Sequence, residues 1–301
     1  MIAPLPLYHV YAFTANCLCM MVTGNHNVLI TNPRDIGAFI KELKKWKFTA
    51  LLGLNTLFVA LMEHAEFRSL DFSHLKVTNS GGTALVKATA ERWESLTGCR
   101  IVEGYGLTET SPVACTNPYG QSARIGSVGI PVVGTGLKVI DDQGAELPLG
   151  ERGELCIQGP QVMRGYWQQP EATAEALDAH GWFKTGDIAV IDPDGYVRIV
   201  DRKKDLIIVS GFNVYPNEIE DVVMAHPQVA NCAAIGVADE RSGEAVKLFV
   251  VARDPQLTTA ELMAYCKANF TGYKLPREIV LRDALPMTPV GKILRRELRD
   301  G

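Results

Sequence analysis

Four short stretches carry the side chains that could do chemistry. Gly104-Tyr105-Gly106 sets an aromatic ring between two glycines, residues that let backbone come close to a ligand. Thr108 and Glu109 follow at once with a hydroxyl and a carboxylate, oxygen ligands of the kind a hard cation such as Mg²⁺ takes. A plain strand-to-helix turn is the competing reading. Ser80-Gly81-Gly82-Thr83 places two glycines after a predicted strand, where open parallel sheets form ligand crevices, and a tight turn explains it as well. Trp182 to Asp187 leads on to Asp201-Arg202-Lys203-Lys204. The Asp187 carboxylate could accept both hydroxyls of a ribose, and the fork of Arg202 suits a sugar or a phosphate. Asp-Pro-Asp-Gly at 192–195 is a turn signal, so a hairpin with surface charges competes with that reading. Last, Lys292 follows Gly291 in a segment bearing Pro286 and Pro289. A lysine on a mobile loop is a point charge suited to a carboxylate and a reacting phosphate, although a solvated basic tail is the plainer reading.

The elements around these stretches fall into two regions. Asn32-Pro33 predicts a helix start, with Ile36, Phe39, Ile40, Leu43 and Trp46 on one face. Phe48–Leu52 reads as a strand, Asn55 as a helix cap, Leu75–Thr78 as a strand, Leu85–Leu96 as a helix and Arg100–Val102 as a strand. Strand and helix alternate, so a parallel α/β sheet is expected. After Ser111 short strands and Gly/Pro turns predict a β-rich subdomain, including Leu137–Asp141, Glu154–Gln158 and Tyr196–Val200. The charged run Asp201–Asp205 is read as the boundary to a small α+β domain of about one hundred residues. Its expected elements are strand Leu206–Val209, helix Pro216–Ala225, strands Ala230–Gly236 and Lys247–Val251, helix Thr259–Asn269 and strand Glu278–Leu281.

Composition narrows the class. A net charge of −4 gives no electrostatic reason to expect nucleic acid as a partner. The seven cysteines are scattered with no C-x-x-C, which favours reduced thiols over a disulfide framework or a zinc site. The apolar stretch Val10–Val22 is broken by Thr14 and Asn16 and falls short of the roughly 20 residues a membrane span needs.

Taken in order, the four stretches resemble the acyl-adenylate-forming, AMP-binding superfamily, and within it the fatty-acyl–CoA ligases. GYGLTETSP, HGWFKTGDIAVIDPDGYVRIVDRKK at 180–204, DLIIVSGFNVYPNEIE and PMTPVGKILRR carry the likeness across essentially the whole chain. The resemblance implies an α/β chain: residues 1–203 as the C-terminal part of a large AMP-binding domain with a β-rich subdomain, and 204–301 as a small mobile lid with a hinge at Lys204. It implies that Gly81, Gly82, Thr83 and Tyr105 hold adenine, Thr108 meets the α-phosphate and Glu109 binds Mg²⁺. Asp187 and Arg202 would hold the ribose, and Lys292 would bridge carboxylate and ATP. Ser210 and Gly211 would line the CoA pantetheine tunnel, and His9 and Phe13 the acyl tunnel, with core packing the alternative for these last two. The implied substrates are a long-chain fatty acid, ATP and CoA. The implied setting is the cytoplasm, with peripheral association at the inner face of the cell membrane and a homodimer both compatible with it.

One departure stands out. The family's Ser/Thr/Gly-rich phosphate loop belongs upstream of residues 4–13 and is not found, nor is a Walker motif. The first residues do not read as a domain start. A truncated chain is therefore expected, with an exposed sheet edge, an uncovered apolar face and little ligase activity of its own. Competing readings are a related adenylating enzyme (aryl-CoA ligase, luciferase-like oxygenase or peptide-synthetase adenylation domain) and a non-catalytic remnant.

Overall fold

The structure, a computed structural model, describes residues 1–288 and 291–299. The chain divides into one unit of Met1–Thr185 with Ala189–Ile199, and a second of Gly186–Ile188 with Val200–Gly301.

The first unit opens with strand β1 (Ile2–Ala3), which is buried. A helical run follows: α1 (Val10–Ala12), a π-helical stretch over Phe13–Leu18, and α2 (Cys19–Thr23), closed by Gly24 in the left-handed conformation. Strand β2 (Val28–Leu29) leads to α3 (Ile36–Leu43). The cap of α3 is Asp35, whose carboxylate accepts from the Ala38 N–H, so the helix starts after the Asn32-Pro33 pair proposed for it. Phe39, Ile40 and Leu43 are buried as their spacing requires, while Trp46 lies beyond the helix and donates to Glu42. Next come β3 (Ala50–Gly53), α4 (Asn55–Glu63), α5 (Ala65–Arg68), β4 (Val77–Ser80), α6 (Lys87–Thr97) and β5 (Ile101–Gly106).

Asn55 does not cap α4. Its Oδ1 accepts from the Val86 N–H at 3.1 Å, so it ties the start of α4 to the start of α6. Strands β2, β1, β3, β4 and β5 lie side by side and parallel, with β2 at the edge. Beyond β5 the pairing turns antiparallel through β6 (Val113–Thr116) and β7 (Ile130–Pro131). A second sheet is formed by β8 (Gly136–Ile140), β9 (Arg152–Gln158), β10 (Phe183–Ile191) and β11 (Val197–Arg202), with helix α7 (Pro170–Ala176) between β9 and β10. Exposed apolar side chains gather early in the chain, at Phe13, Leu18, Met21, Val22 and Leu29.

The second unit is built on β12 (Ile207–Val209), β13 (Phe212–Val214), α8 (Pro216–Met224), β14 (Val229–Asp239), β15 (Gly243–Ala252), α9 (Thr259–Asn269), β16 (Glu278–Leu281) and α10 (Arg295–Arg299). Its sheet runs β13-β12-β15-β14 with β16 parallel to β15. Alternation along β14 splits the core. Cys232 and Ala234 join the cluster with Ile219, Val223, Leu262 and Cys266, while Ala233 and Ile235 pack with Phe249, Leu285 and Leu298. The capping box at Thr258 and Glu261 explains why α9 begins where its sequence predicts.

Trp93 is the largest fully buried side chain of the first unit. Its ring lies 4.8 Å from that of Phe58, and its N–H donates to Thr78 Oγ1 at 3.2 Å. Trp93→Ala should therefore lower unfolding free energy by about 3–5 kcal/mol. Urea unfolding measured by circular dichroism checks this, and a loss under about 1 kcal/mol would mean the helix–sheet packing is not as described.

Candidate functional site

In the first unit the candidate residues gather at one end of the parallel sheet. Ser80 pairs in register with Glu103 across β4 and β5. Gly81, Gly82 and Thr83 therefore leave β4 beside the point where Gly104 and Tyr105 continue β5, at the carboxyl ends where such sheets bind ligands. Gly82 needs its φ of 82°. Gly81 packs closely for a different reason: a Cβ there would lie 3.2 Å from the ring of Tyr11. The Tyr11 hydroxyl donates to the Asn79 side chain, and burial raises its pKa far above the usual tyrosine range. Helix α1 is thereby fixed against the β4 loop. His9 caps α1 through a 3.3 Å bond from the Tyr11 N–H, which gives it a structural task, and Phe13 is 48% exposed.

The turn after β5 corrects two expectations. It joins two antiparallel strands, not a strand and a helix: a single 3-10 turn spans Thr108–Thr110. Gly106 serves the chain itself, since a Cβ there would fall 1.8 Å from the Pro112 carbonyl oxygen. Thr110 is the structural hydroxyl, buried and receiving the Leu107 N–H at 2.9 Å, and this leaves Thr108 exposed. Glu109 is half-buried. Its carboxylate accepts from the Tyr166 hydroxyl at 3.0 Å, and its carbonyl accepts from the Met163 N–H. Tyr166 was not singled out in the sequence because it lies 57 residues from its partner.

In the second unit Asp187, Arg202, Lys204 and Lys292 come together. Asp187 is 5% exposed and sits 3.4 Å from the Arg202 guanidinium. Burial lowers the Lys292 pKa, as do the nearby charges of Arg202, Arg295 and Lys204, while Asp187 opposes them. Lys292 is thus not on a solvated tail. The Thr288 N–H donates to the Lys292 carbonyl at 2.8 Å, and a bridge pairs Met287 with Ile293. Pro289 and Val290 lie outside the described residues.

The charged run 201–205, read as a domain boundary, has its two aspartates buried. Asp201 is 1% exposed and accepts from the Arg202 and Asn217 N–H groups, and buried Asp205 meets Arg295 and Arg299. Lys204 lies in the 3-10 turn Lys203–Asp205.

Ser210 and Gly211 form the two-residue turn of the β12–β13 hairpin, both with positive φ. Ser210 borders a cleft of about 500 Å³ lined also by Val209, Phe212, Tyr273 and Arg277. Phe212 and Tyr273 stack with centroids 4.8 Å apart. Neither aromatic was foreseen, because only the fold brings β13 to the Gly272–Lys274 turn. Among the described residues no group of three or more His, Cys, Asp or Glu side chains could hold a metal ion.

The family model of the AMP-binding enzyme matches residues 1–167, more than half of the chain, and that of the AMP-binding enzyme C-terminal domain matches 218–292. The chain belongs to the AMP-binding enzyme family. It is 56% identical over 299 residues to a long-chain-fatty-acid–CoA ligase of Escherichia coli, covering 99% of this chain and 53% of that protein. A feruloyl-CoA synthase of an Amycolatopsis species is 39% identical over 296 residues, covering 98% and 60%. Among solved structures, the anthranilate CoA ligase AuaEII in complex with anthranoyl-AMP superimposes with a TM-score of 0.91 at 29% identity, over 99% of this chain and 58% of that one. The chain thus spans about half the length of the curated relatives it matches.

Asp201 gives this region a pH signature. Burial pushes its carboxyl up to about 6, against which the Asn217 N–H and Arg295 pull. Between its ordinary value of 3.8 and about 6 the folded state binds the proton more tightly than the unfolded chain. This group's stabilisation is therefore full below the ordinary value and is lost as pH rises through about 6. Asp201→Asn should flatten that decline, read by urea unfolding at about pH 4 and about pH 7. An unchanged slope would show that Asp201 titrates normally.

Proposed function

We propose that the protein ligates a long-chain fatty acid to CoA with ATP, through an acyl-adenylate. The observation that carries this reading is the grouping of Arg202 and Lys292 with the buried Asp187 carboxylate, together with 56% identity to a long-chain-fatty-acid–CoA ligase. In the first step a carboxylate oxygen of the fatty acid attacks the α-phosphorus of ATP and pyrophosphate leaves. In the second the CoA thiol sulfur attacks the acyl carbonyl, loses its proton, and AMP departs.

Asp187 holds the ribose hydroxyls, and Arg202 lies beside them. Gly81, Gly82 and Thr83 hold the adenine together with Tyr105, and Thr108 donates to the α-phosphate. Lys292 offsets charge as carboxylate and phosphate meet. Glu109, oriented by Tyr166, would supply the protein's ligand to Mg²⁺, which when bound neutralises phosphate charge. The Ser210–Gly211 turn guides the pantetheine arm, and the adjoining cleft with its Phe212–Tyr273 stack offers flat apolar faces to the rest of CoA. His9 and Phe13 flank the acyl path. The reaction belongs in the cytoplasm, where the inner face of the membrane can deliver the acyl chain. No described helix is long and apolar enough to cross a membrane.

Binding of a palmitoyl-sulfamoyl-adenosine analogue, followed by calorimetry, tests the nucleotide grip. Asp187→Ala should weaken it by about ten- to a hundredfold, the worth of hydrogen bonds to a charged group. Equal binding by the variant would remove the basis of this reading. In the whole protein Lys292→Ala should cut pyrophosphate exchange by at least about a hundredfold yet spare thioester formation from supplied acyl-AMP. Palmitate should outcompete ferulate and anthranilate, and a preference for either aromatic acid would reassign the substrate class.

A further inference from the structure

Arg295 lies three residues after Lys292 and has no part in the reaction proposed above, yet its side chain is only 15% exposed. Its Nη2 donates to both Glu220 oxygens at 2.8 Å and to Asn217 Oδ1 at 3.1 Å, and its Nη1 stands 3.8 Å from Asp205. Those partners lead elsewhere. Asn217 uses its backbone N–H on Asp201 at 2.8 Å and its side-chain amide on the Val200 carbonyl at 3.0 Å. Glu220 also receives the Ala234 N–H of β14 at 2.9 Å. On the other side of the segment Met287 and Ile293 pack against Ala233, Ile235 and Phe249. The turn is closed by Thr288, which receives the Lys292 N–H on its hydroxyl at 3.1 Å.

We infer that Arg295 is a positioning residue for Lys292: it locks the lysine-bearing turn to α8 and, through Asn217, to the end of β11. The lysine then keeps a fixed relation to Asp187 and Arg202, which lie at and beside that strand end. A guanidinium spans these partners because its Nη2 meets Glu220 and Asn217 while its Nη1 faces Asp205. An ammonium in its place would reach fewer of them and hold no plane. The role of Lys292 in adenylation rests on the function proposed above, but the lock itself does not.

Competitive acetylation across a pH series, with each lysine of the chain read by mass spectrometry, tests the lock. Arg295→Lys keeps the charge and loses the fork, Arg295→Gln loses both, and Glu220→Gln weakens the lock from the other side. Exposed Lys267 on α9 is the internal reference. In all three variants the pH-independent reactivity of Lys292 should rise at least about threefold, because the turn opens to solvent, with its apparent pKa moving up toward the ordinary lysine range while Lys267 stays unchanged. An Arg295→Lys profile that overlays the parent's overturns the inference, since charge alone would then suffice. A parallel rise at Lys267 also overturns it, since Arg295 would then only hold the unit folded. If Lys292 responds as expected but pyrophosphate exchange in the whole protein does not fall, the lock stands and the adenylation role of Lys292 fails.

Discussion

A buried carboxylate among cations is the constraint on which the rest turns. Asp187 is almost wholly removed from water and pairs with Arg202 at 3.4 Å, and beside this pair the charges of Arg202, Arg295 and Lys204 act on the partly buried Lys292. Burial and these like charges both disfavour the charged form of Lys292 and lower its pKa, with Asp187 opposing them. An anion with hydroxyls would relieve both sides, its phosphate meeting the cations and its sugar meeting Asp187. The neighbouring Arg295 differs because Glu220 and Asp205 already neutralise it. Two cationic environments therefore sit close together, one neutralised by carboxylates of the protein and one proposed above to meet a ligand.

The residues proposed to meet a ligand were more legible than those that hold them. Asp187, Arg202 and Lys292 sit in short runs whose types point to nucleotide chemistry, and the structure brings them together. Strand β16 and helix α9 could be read to the residue, because a capping box and a short apolar run mark their ends locally. The supporting side chains could not be read this way. Tyr11 to Asn79, Tyr166 to Glu109 and Arg295 to Glu220 span 68, 57 and 75 residues. No periodicity encodes which distant tyrosine will meet which carboxylate.

The misreadings share a cause. The competing reading of the stretch through 204 put its charges on the surface of a hairpin, although Asp201 is buried and engaged. Asn55 was taken as a cap of its own helix, although it serves the start of another. Gly106 was taken as room for a ligand, although the chain's own Pro112 carbonyl occupies the space. In each case a local rule named the right kind of interaction and the tertiary fold supplied a different partner.

The polar network of the second unit has to be weighed against its desolvation. Replacing a buried ion pair by apolar groups is often neutral or stabilising, so Arg295, Glu220 and Asp205 are poor candidates for simple stabilisers. What an apolar substitute could not do is fix direction. Met287 and Ile293 could slide along the face of β14 and still bury the same area, because dispersion contacts are non-directional. The guanidinium fork cannot slide without leaving acceptors unpaired in a buried place, at a penalty of about 1–3 kcal/mol each. Glu220 also ties up the Ala234 N–H at an edge strand, where an open backbone group would otherwise invite pairing with another chain. The same carboxylate thus closes a sheet edge and sets the register of the segment bearing Lys292, and that double use accounts for an acid kept in surroundings that raise its pKa.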